Sequence, residues 1–143
     1  GENRGMLFSP ESWRNIYKPI YKELGKFLSE RNIDFWMHCC GNMLDVLDDL
    51  IECGLQVLQP LQVNAGLDVL SLRKKYGKKL VFYGNISAAA MEGPLEKLNA
   101  ELERKIPLWN EGGYIYHSDH SVPSNVDFER YRWIINRVLE YGT

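Results

Sequence analysis

The strongest constraint on the fold is a regular alternation of short apolar runs with segments of helical periodicity. The apolar runs predict four buried strands, at residues 33–37, 56–58, 80–83 and 114–116. A helical segment follows each run, and a longer helix, predicted from Pro10 to Glu30, precedes the first. Strands separated by helices that return the chain pair in parallel. The sequence therefore predicts an α/β domain of four parallel βα units preceded by a helix.

Capping residues and apolar spacing set the expected helix boundaries. Ser9 followed by Pro10 predicts the start of the first helix, and Pro19 is expected to kink it or divide it in two. Apolar residues recur along it at helical spacing: Ile16, Ile20, Leu24, Phe27 and Leu28. The other helices are expected near residues 43–53, 67–76, 94–106 and 125–141. The last helix is expected to bury Phe128, Tyr131, Trp133, Ile134, Ile135 and Val138.

Length and composition limit the function classes. Regular βα units build either a doubly wound sheet or a (β/α)8 barrel, and a whole barrel needs about 250 residues, against 143 here. The absence of a G-x-G-x-x-G or Walker pattern disfavours nucleotide binding. A net charge of −2 gives no basic surface for nucleic acid or a membrane, and no apolar run approaches a membrane span. An odd number of cysteines predicts free thiols in a reducing cytoplasm, with Cys53 as a buried apolar residue.

Polar side chains are concentrated where the predicted strands end. All three histidines lie at these ends, and ligands of parallel α/β folds bind at the carboxyl ends of strands. The polar residues at the four ends are His38, Cys39, Cys40 and Asn42; Gln59, Gln62 and Asn64; Asn85 and Ser87; and His117, Ser118, Asp119 and His120. The opposite ends carry ordinary turn residues. This asymmetry predicts a functional face.

The pattern His38-x-Cys40 suggests a metal site at this face. Imidazole nitrogen and thiolate sulfur are ligands that zinc prefers, and His120 or His117 is the candidate third ligand. Three protein ligands leave one position open, as in catalytic zinc sites. The alternative is a hydrogen-bonded histidine that happens to neighbour a thiol. Asp119 and His117 are the candidate catalytic residues, with Asp119 acting as an acid or base, orienting a histidine or capping the loop.

Three amides at the same strand ends are candidate substrate-binding residues. These are Gln59, Gln62 and Asn85. The alternative is that they fix the loops through hydrogen bonds, as amide side chains commonly do.

Segments in order along the chain resemble the C-terminal half of the uroporphyrinogen decarboxylase superfamily. They are LFSPESWRNIYKPIYKEL, HCCGN, LIECGLQVLQPLQVNAGLDVLSLRKKYGKKLVFYGNIS and GGYIYHSDHSVPSNVDFERYRWII. That superfamily also contains zinc-dependent, corrinoid-linked methyltransferases. The resemblance implies strands five to eight of a (β/α)8 TIM barrel, so we expect one half-barrel domain over residues 1–143. It also implies a fragment of a longer parent protein.

The resemblance also implies a ligand set. HCCGN looks like the H-x-C-G-N zinc motif of the methyltransferases and places His38 and Cys40 on the metal. The late turn that supplies a cysteine in the methyltransferases and a histidine in the decarboxylases corresponds to His120 here. The family often has an aspartate where Ser87 stands. The implied zinc site is therefore His38, Cys40 and His120.

Three functions follow from the resemblance. Zinc would activate a small-molecule thiol for methyl transfer from a corrinoid protein. Alternatively, His120 would contact a tetrapyrrole carboxylate in a decarboxylase of porphyrin biosynthesis. The third possibility is that the chain is an inactive fragment. In the decarboxylases of the family, the N-terminal half supplies the catalytic aspartate and the arginines that bind substrate carboxylates. We expect the parent to be an enzyme and this chain alone to be inactive. A half-barrel exposes apolar surface, which predicts a homo-oligomer or association with the missing N-terminal half.

Overall fold

The computed structural model describes residues 5–142, which build one sheet of four parallel strands. The strands are β1 (Trp36–His38), β2 (Val57–Gln59), β3 (Val81–Tyr83) and β4 (Tyr114–Ile115). Each strand pairs with the next in the chain, and the register places Met37 opposite Leu58 and Phe82 opposite Tyr114. Sequential order with parallel pairing is the arrangement of neighbouring units in a (β/α)8 barrel. The predicted architecture of four parallel βα units is confirmed.

Within residues 5–142, six α-helices accompany the sheet. They are α1 (Pro10–Ser29), α2 (Leu44–Glu52), α3 (Val69–Tyr76), α4 (Ala88–Glu92), α5 (Leu95–Lys105) and α6 (Phe128–Tyr141). Side-chain oxygens of Ser9, Asp68, Ser87 and Asp127 cap four of these helices by accepting backbone N–H groups. The short helix α4 and two 3-10 turns, Val63–Ala65 and Ile106–Glu111, are additions to the predicted elements. Among residues 5–142, no helix is both long and apolar enough to cross a membrane.

Helix α1 runs through Pro19 without a break, so of the two predicted effects, a kink or a division, the division is wrong. Proline removes one backbone hydrogen bond, to the carbonyl of the residue four positions earlier. Both Pro19 and that residue, Asn15, are exposed. Water can therefore satisfy the freed carbonyl, and the helix continues.

The apolar core lies between the sheet and the helices. Leu58 and Phe82 of the central strands are buried against helix residues such as Leu47, Leu98 and Ile134. Because side chains alternate along a strand, the neighbours of these residues point to the other side of the sheet. That side, which we call the open face, carries Trp36, Tyr83 and Ile115, and Trp36 is 52% exposed. In a closed barrel the corresponding face points into the interior.

The outer helices bury fewer apolar residues than the sequence predicts. Only Ile134 and Val138 of α6 are fully buried, whereas Phe128 and Tyr131 are exposed. On α1 the buried residues are Trp13 and Gly25, while the predicted apolar positions Ile16, Ile20, Leu24 and Phe27 are exposed. Hydrophobic spacing identifies an apolar helix face but not what covers it.

Glycine decides which face of α1 packs. A Cβ atom built on Gly25 would lie 1.7 Å from the backbone oxygen of Cys53, at the end of α2. Only glycine permits this approach of the two backbones. With this side of α1 against the end of α2, the stripe of Ile16, Ile20 and Phe27 faces away from the core.

Candidate functional site

A cleft of about 410 Å³ lies at the carboxyl ends of the strands, where the sequence predicts the functional face. It brings together residues from the first, second and fourth strand ends. Its lining consists of His38, Cys40, Gln59, Pro60, Tyr116, His117, Ser118, Asp119, His120, Ser121, Val122 and Tyr131. Six of the eight predicted site residues are in this lining; the exceptions are Gln62 and Asn85.

His38 and Cys40 form a close pair at the end of β1. The Nε2 atom of His38 lies 3.4 Å from the Sγ atom of Cys40. Zinc bonds of about 2.0–2.1 Å to nitrogen and about 2.3 Å to sulfur place two tetrahedral ligands about 3.5 Å apart. The pair therefore fits two adjacent ligand positions of one zinc ion.

The two neighbouring cysteines have different surroundings. Cys40 is exposed and lines the cleft, whereas Cys39 is half-buried and packs against the apolar core. Backbone alternation beyond β1 accounts for this difference, since successive side chains point to opposite sides. Cys40 is thus the thiol that faces the site.

The third cysteine, Cys53, is buried, as predicted, and burial raises the pKa of its thiol.

Gln59 contacts the imidazole of His38. The register of β1 and β2 places the two residues opposite each other, and Gln59 Oε1 lies 2.5 Å from His38 Nδ1. The backbone oxygen of Gln59 accepts a hydrogen bond of 2.8 Å from the N–H of Cys39. Gln59, predicted to bind substrate, therefore contacts one candidate ligand and holds the backbone beside the other.

His117 and His120 follow β4 and also line the cleft. The Nδ1 atom of His117 is 2.5 Å from the backbone oxygen of Ser118, and its ring meets Tyr83 edge-on at 5.0 Å. Because a carbonyl only accepts, Nδ1 of His117 carries a proton, and Nε2 is free to accept one. His120 is 46% exposed, and its Nδ1 atom lies 3.5 Å from Asp119 Oδ1.

Asp119 connects three loops through its carboxylate and its backbone. Its Oδ2 accepts from the N–H of Val63 at 2.9 Å, and its Oδ1 accepts from the N–H of Ala88 at 2.8 Å. Its own N–H donates to the oxygen of Ile86 at 2.7 Å. The side chain is only 3% exposed. These bonds hold the loops after β2, β3 and β4 together beside His120.

Asn85 and Gln62 are buried among the loops. The Oδ1 atom of Asn85 accepts from the N–H of Val69, and its Nδ2 donates to the carbonyls of Leu61 and Leu67. Gln62 Oε1 accepts from the N–H of Gly41 at 2.8 Å. Both amides therefore fix loops, which is the alternative role that the sequence left open for them.

The three predicted zinc ligands share the cleft but do not form one compact cluster. Residues 5–142 contain no group of three or more His, Cys, Asp or Glu side chains arranged to hold a metal ion. The donor types and the spacing of His38 and Cys40 fit zinc, and His120 lines the same cleft.

None of the described residues that line the cleft is lysine or arginine. Burial raises the pKa of Tyr116, another residue of the lining.

Comparison with known proteins gives a consistent family relationship. A family model described as uroporphyrinogen decarboxylase (URO-D) matches residues 2–141. Over 109 residues the chain is 31% identical to the methylcobamide:CoM methyltransferase MtaA of Methanosarcina barkeri, a match covering 75% of this chain. Over 95 residues it is 26% identical to the uroporphyrinogen decarboxylase of Shewanella pealeana, covering 66% of this chain. The matched segments span 30% and 26% of the lengths of these two relatives.

Proposed function

This chain belongs to the uroporphyrinogen decarboxylase family, and we propose that it is the C-terminal part of a member that transfers a methyl group from a corrinoid to a thiol. The observation that carries this proposal is the pair of His38 and Cys40, 3.4 Å apart in the cleft. Similarity to a relative named as a methylcobamide:CoM methyltransferase supports the same reaction. Because the chain covers 30% of that relative, the proposal concerns the whole parent protein.

Zinc would be held by His38 and Cys40, with His120 as the third candidate ligand. Zinc, when bound, lowers the pKa of a coordinated thiol and so allows a thiolate nucleophile at neutral pH. Cys40 is exposed in the cleft, and the Nε2 atom of His38 lies beside its Sγ atom. Asp119, which ties three loops together, positions the segment that carries His120.

His117 is the residue placed to accept the proton that a substrate thiol releases. Its Nδ1–H is held by the carbonyl of Ser118, which leaves Nε2 as the proton acceptor. Its ring is also fixed by the edge-on contact with Tyr83. A small-molecule thiol is the acceptor that this arrangement favours, and a corrinoid protein is the methyl donor.

Metal analysis of adjacent cysteine variants tests the proposal. Purified wild-type protein is expected to bind close to one zinc per chain. Cys40→Ser removes the thiolate that faces the cleft and should lose the metal, whereas Cys39→Ser should retain it. Elemental analysis after dialysis measures both.

Equal zinc content in the two variants would show that Cys40 is not a ligand. A wild-type protein that binds no zinc would favour the second family reaction, decarboxylation of a tetrapyrrole. The similarity to a uroporphyrinogen decarboxylase provides the support for that alternative.

A further inference from the structure

In the hydrogen bond between Gln59 and His38, the imidazole is the donor and the amide oxygen is the acceptor. Gln59 Oε1 is a carbonyl oxygen and can only accept a hydrogen bond. At 2.5 Å from Nδ1, it requires the proton of a neutral His38 imidazole to be on Nδ1. The lone pair of the ring is then on Nε2, the atom that lies 3.4 Å from Cys40 Sγ.

The backbone makes this contact part of the sheet. Gln59 is paired with His38 in the parallel register of β1 and β2. The backbone oxygen of Gln59 also accepts the N–H of Cys39, at 2.8 Å. The side chain of Gln59 therefore contacts His38, and its backbone oxygen holds the segment that leads to Cys40.

We infer that Gln59 is a positioning residue that holds His38 in its Nδ1–H tautomer, so that Nε2 is the atom presented to zinc. This inference rests on the proposed zinc site and goes beyond it by assigning the ligand atom and the residue that selects it. Metal-binding histidines commonly donate their other N–H to an oxygen, and loss of that partner typically costs 10–100-fold in metal affinity. Gln59 supplies that oxygen here.

The first test measures the tautomer without any substitution. Long-range proton–nitrogen NMR correlations of the His38 ring in metal-free wild-type protein distinguish a proton on Nδ1 from one on Nε2. We expect the Nδ1–H form. A proton on Nε2 would overturn the inference, whatever the protein does with zinc.

The second test compares two substitutions at position 59. Gln59→Leu removes the acceptor oxygen at nearly constant volume, and its zinc affinity should fall about 10–100-fold in competition against a chromophoric chelator. Gln59→Glu keeps an acceptor oxygen and should retain wild-type affinity or exceed it. Its His38 should also keep the Nδ1–H tautomer, a property that a purely structural role of Gln59 would not require.

Gln56→Leu is the matched control. Gln56 immediately precedes β2, its Oε1 accepts the N–H of Phe35 at 2.8 Å, and neither residue lines the cleft. The control loses one side-chain hydrogen bond from the same part of the sheet, yet its zinc affinity should equal that of wild type. If wild type and Gln59→Leu bound zinc with equal affinity, the inference about Gln59 would be overturned, but the proposed function would not. Absence of zinc binding in wild type would overturn the proposed function.

Discussion

Asn85 shows how single side chains organise the loops beside the cleft. Its backbone has a left-handed φ of 68°, and its side chain is fully buried. The amide bonds to Leu61, Leu67 and Val69, so one residue after β3 fixes the whole connection that follows β2. Its backbone oxygen also accepts a bond from the buried Lys105 ammonium, which pairs with Glu101. This loop is therefore held by polar contacts as well as by the burial of Leu61 and Leu67 in the apolar core.

Replacement of Asn85 by alanine should be strongly destabilising. Asn85→Ala leaves two carbonyls and one N–H without their partner in a buried place, and we expect the free energy of unfolding to fall by about 3 kcal/mol. Urea denaturation followed by circular dichroism measures the change. Asn64→Ala, in the same connection but at an exposed position, should change stability by less than about 0.5 kcal/mol. Similar small effects of both substitutions would contradict the role given to Asn85.

At the scale of elements, α1 and α2 are joined by an ion-pair cluster as well as by their glycine contact. Asp49 of α2 accepts a hydrogen bond of 2.6 Å from Lys18 and one of 2.8 Å from Arg14. The hydrogen bond from Lys18 is the main cause that lowers the pKa of Asp49, although burial opposes it. Asp49 is nearly buried, so its charge depends on these two partners.

This cluster predicts a pH-dependent effect of Asp49→Asn. The folded-state pKa of Asp49 lies below its ordinary value of 3.8, so its contribution to stability is complete above that pH. It is lost as the pH falls through the folded-state pKa. Asp49→Asn should therefore lower the free energy of unfolding by about 2 kcal/mol at neutral pH and by less in acid. Urea denaturation of wild type and of Asp49→Asn, at pH values from neutral to acidic, measures the difference.

Asp48→Asn is the control for this prediction. Asp48 is 69% exposed and lies 3.5 Å from Lys75, a surface pair that contributes little. Its substitution should change stability by less than about 1 kcal/mol at every pH. A constant effect of Asp49→Asn down to strongly acidic pH would mean that its carboxylate does not stabilise the fold through its charge.

For the whole molecule, the exposed apolar surface is concentrated where a closed barrel would continue. The open face carries Trp36 and Ile115, and the outer stripe of α1 carries Ile20 and Phe27, 60% and 50% exposed. At the opposite edge of the sheet, Phe128 of α6 is 72% exposed. Large apolar side chains exposed in groups of this kind are a feature of interfaces.

We expect the chain by itself to associate at micromolar concentration, because association removes this apolar surface from water. The double substitution Ile20→Glu/Leu24→Glu introduces charge into the outer stripe of α1 and should shift the population toward monomer. Lys22→Glu, on the polar side of the same helix, should leave association unchanged. Light scattering coupled to size-exclusion chromatography measures the mass. A monomeric wild-type protein would show that the open face and the outer stripe need no cover.

Local sequence patterns are enough to predict the order of the elements, the parallel sheet and the polar residues that follow each strand. Periodicity, capping residues and glycines are local, so they can be read without knowing what packs where. The candidate residues for the cleft, His38, Cys40, His117, Asp119 and His120, were found in the same way. The ordered motifs predicted the family, and the family match confirms it.

Which of these residues contact one another is visible only in the folded protein. The contact of Gln59 with His38 depends on strand register, and the burial of Asn85 depends on a loop that closes around it. The outward stripe of α1 depends on the backbone approach at Gly25, which no hydrophobic pattern contains. These features join residues distant in the chain. Their energies come from packing and hydrogen bonds that exist only once the sheet has formed, so local sequence signals cannot specify them.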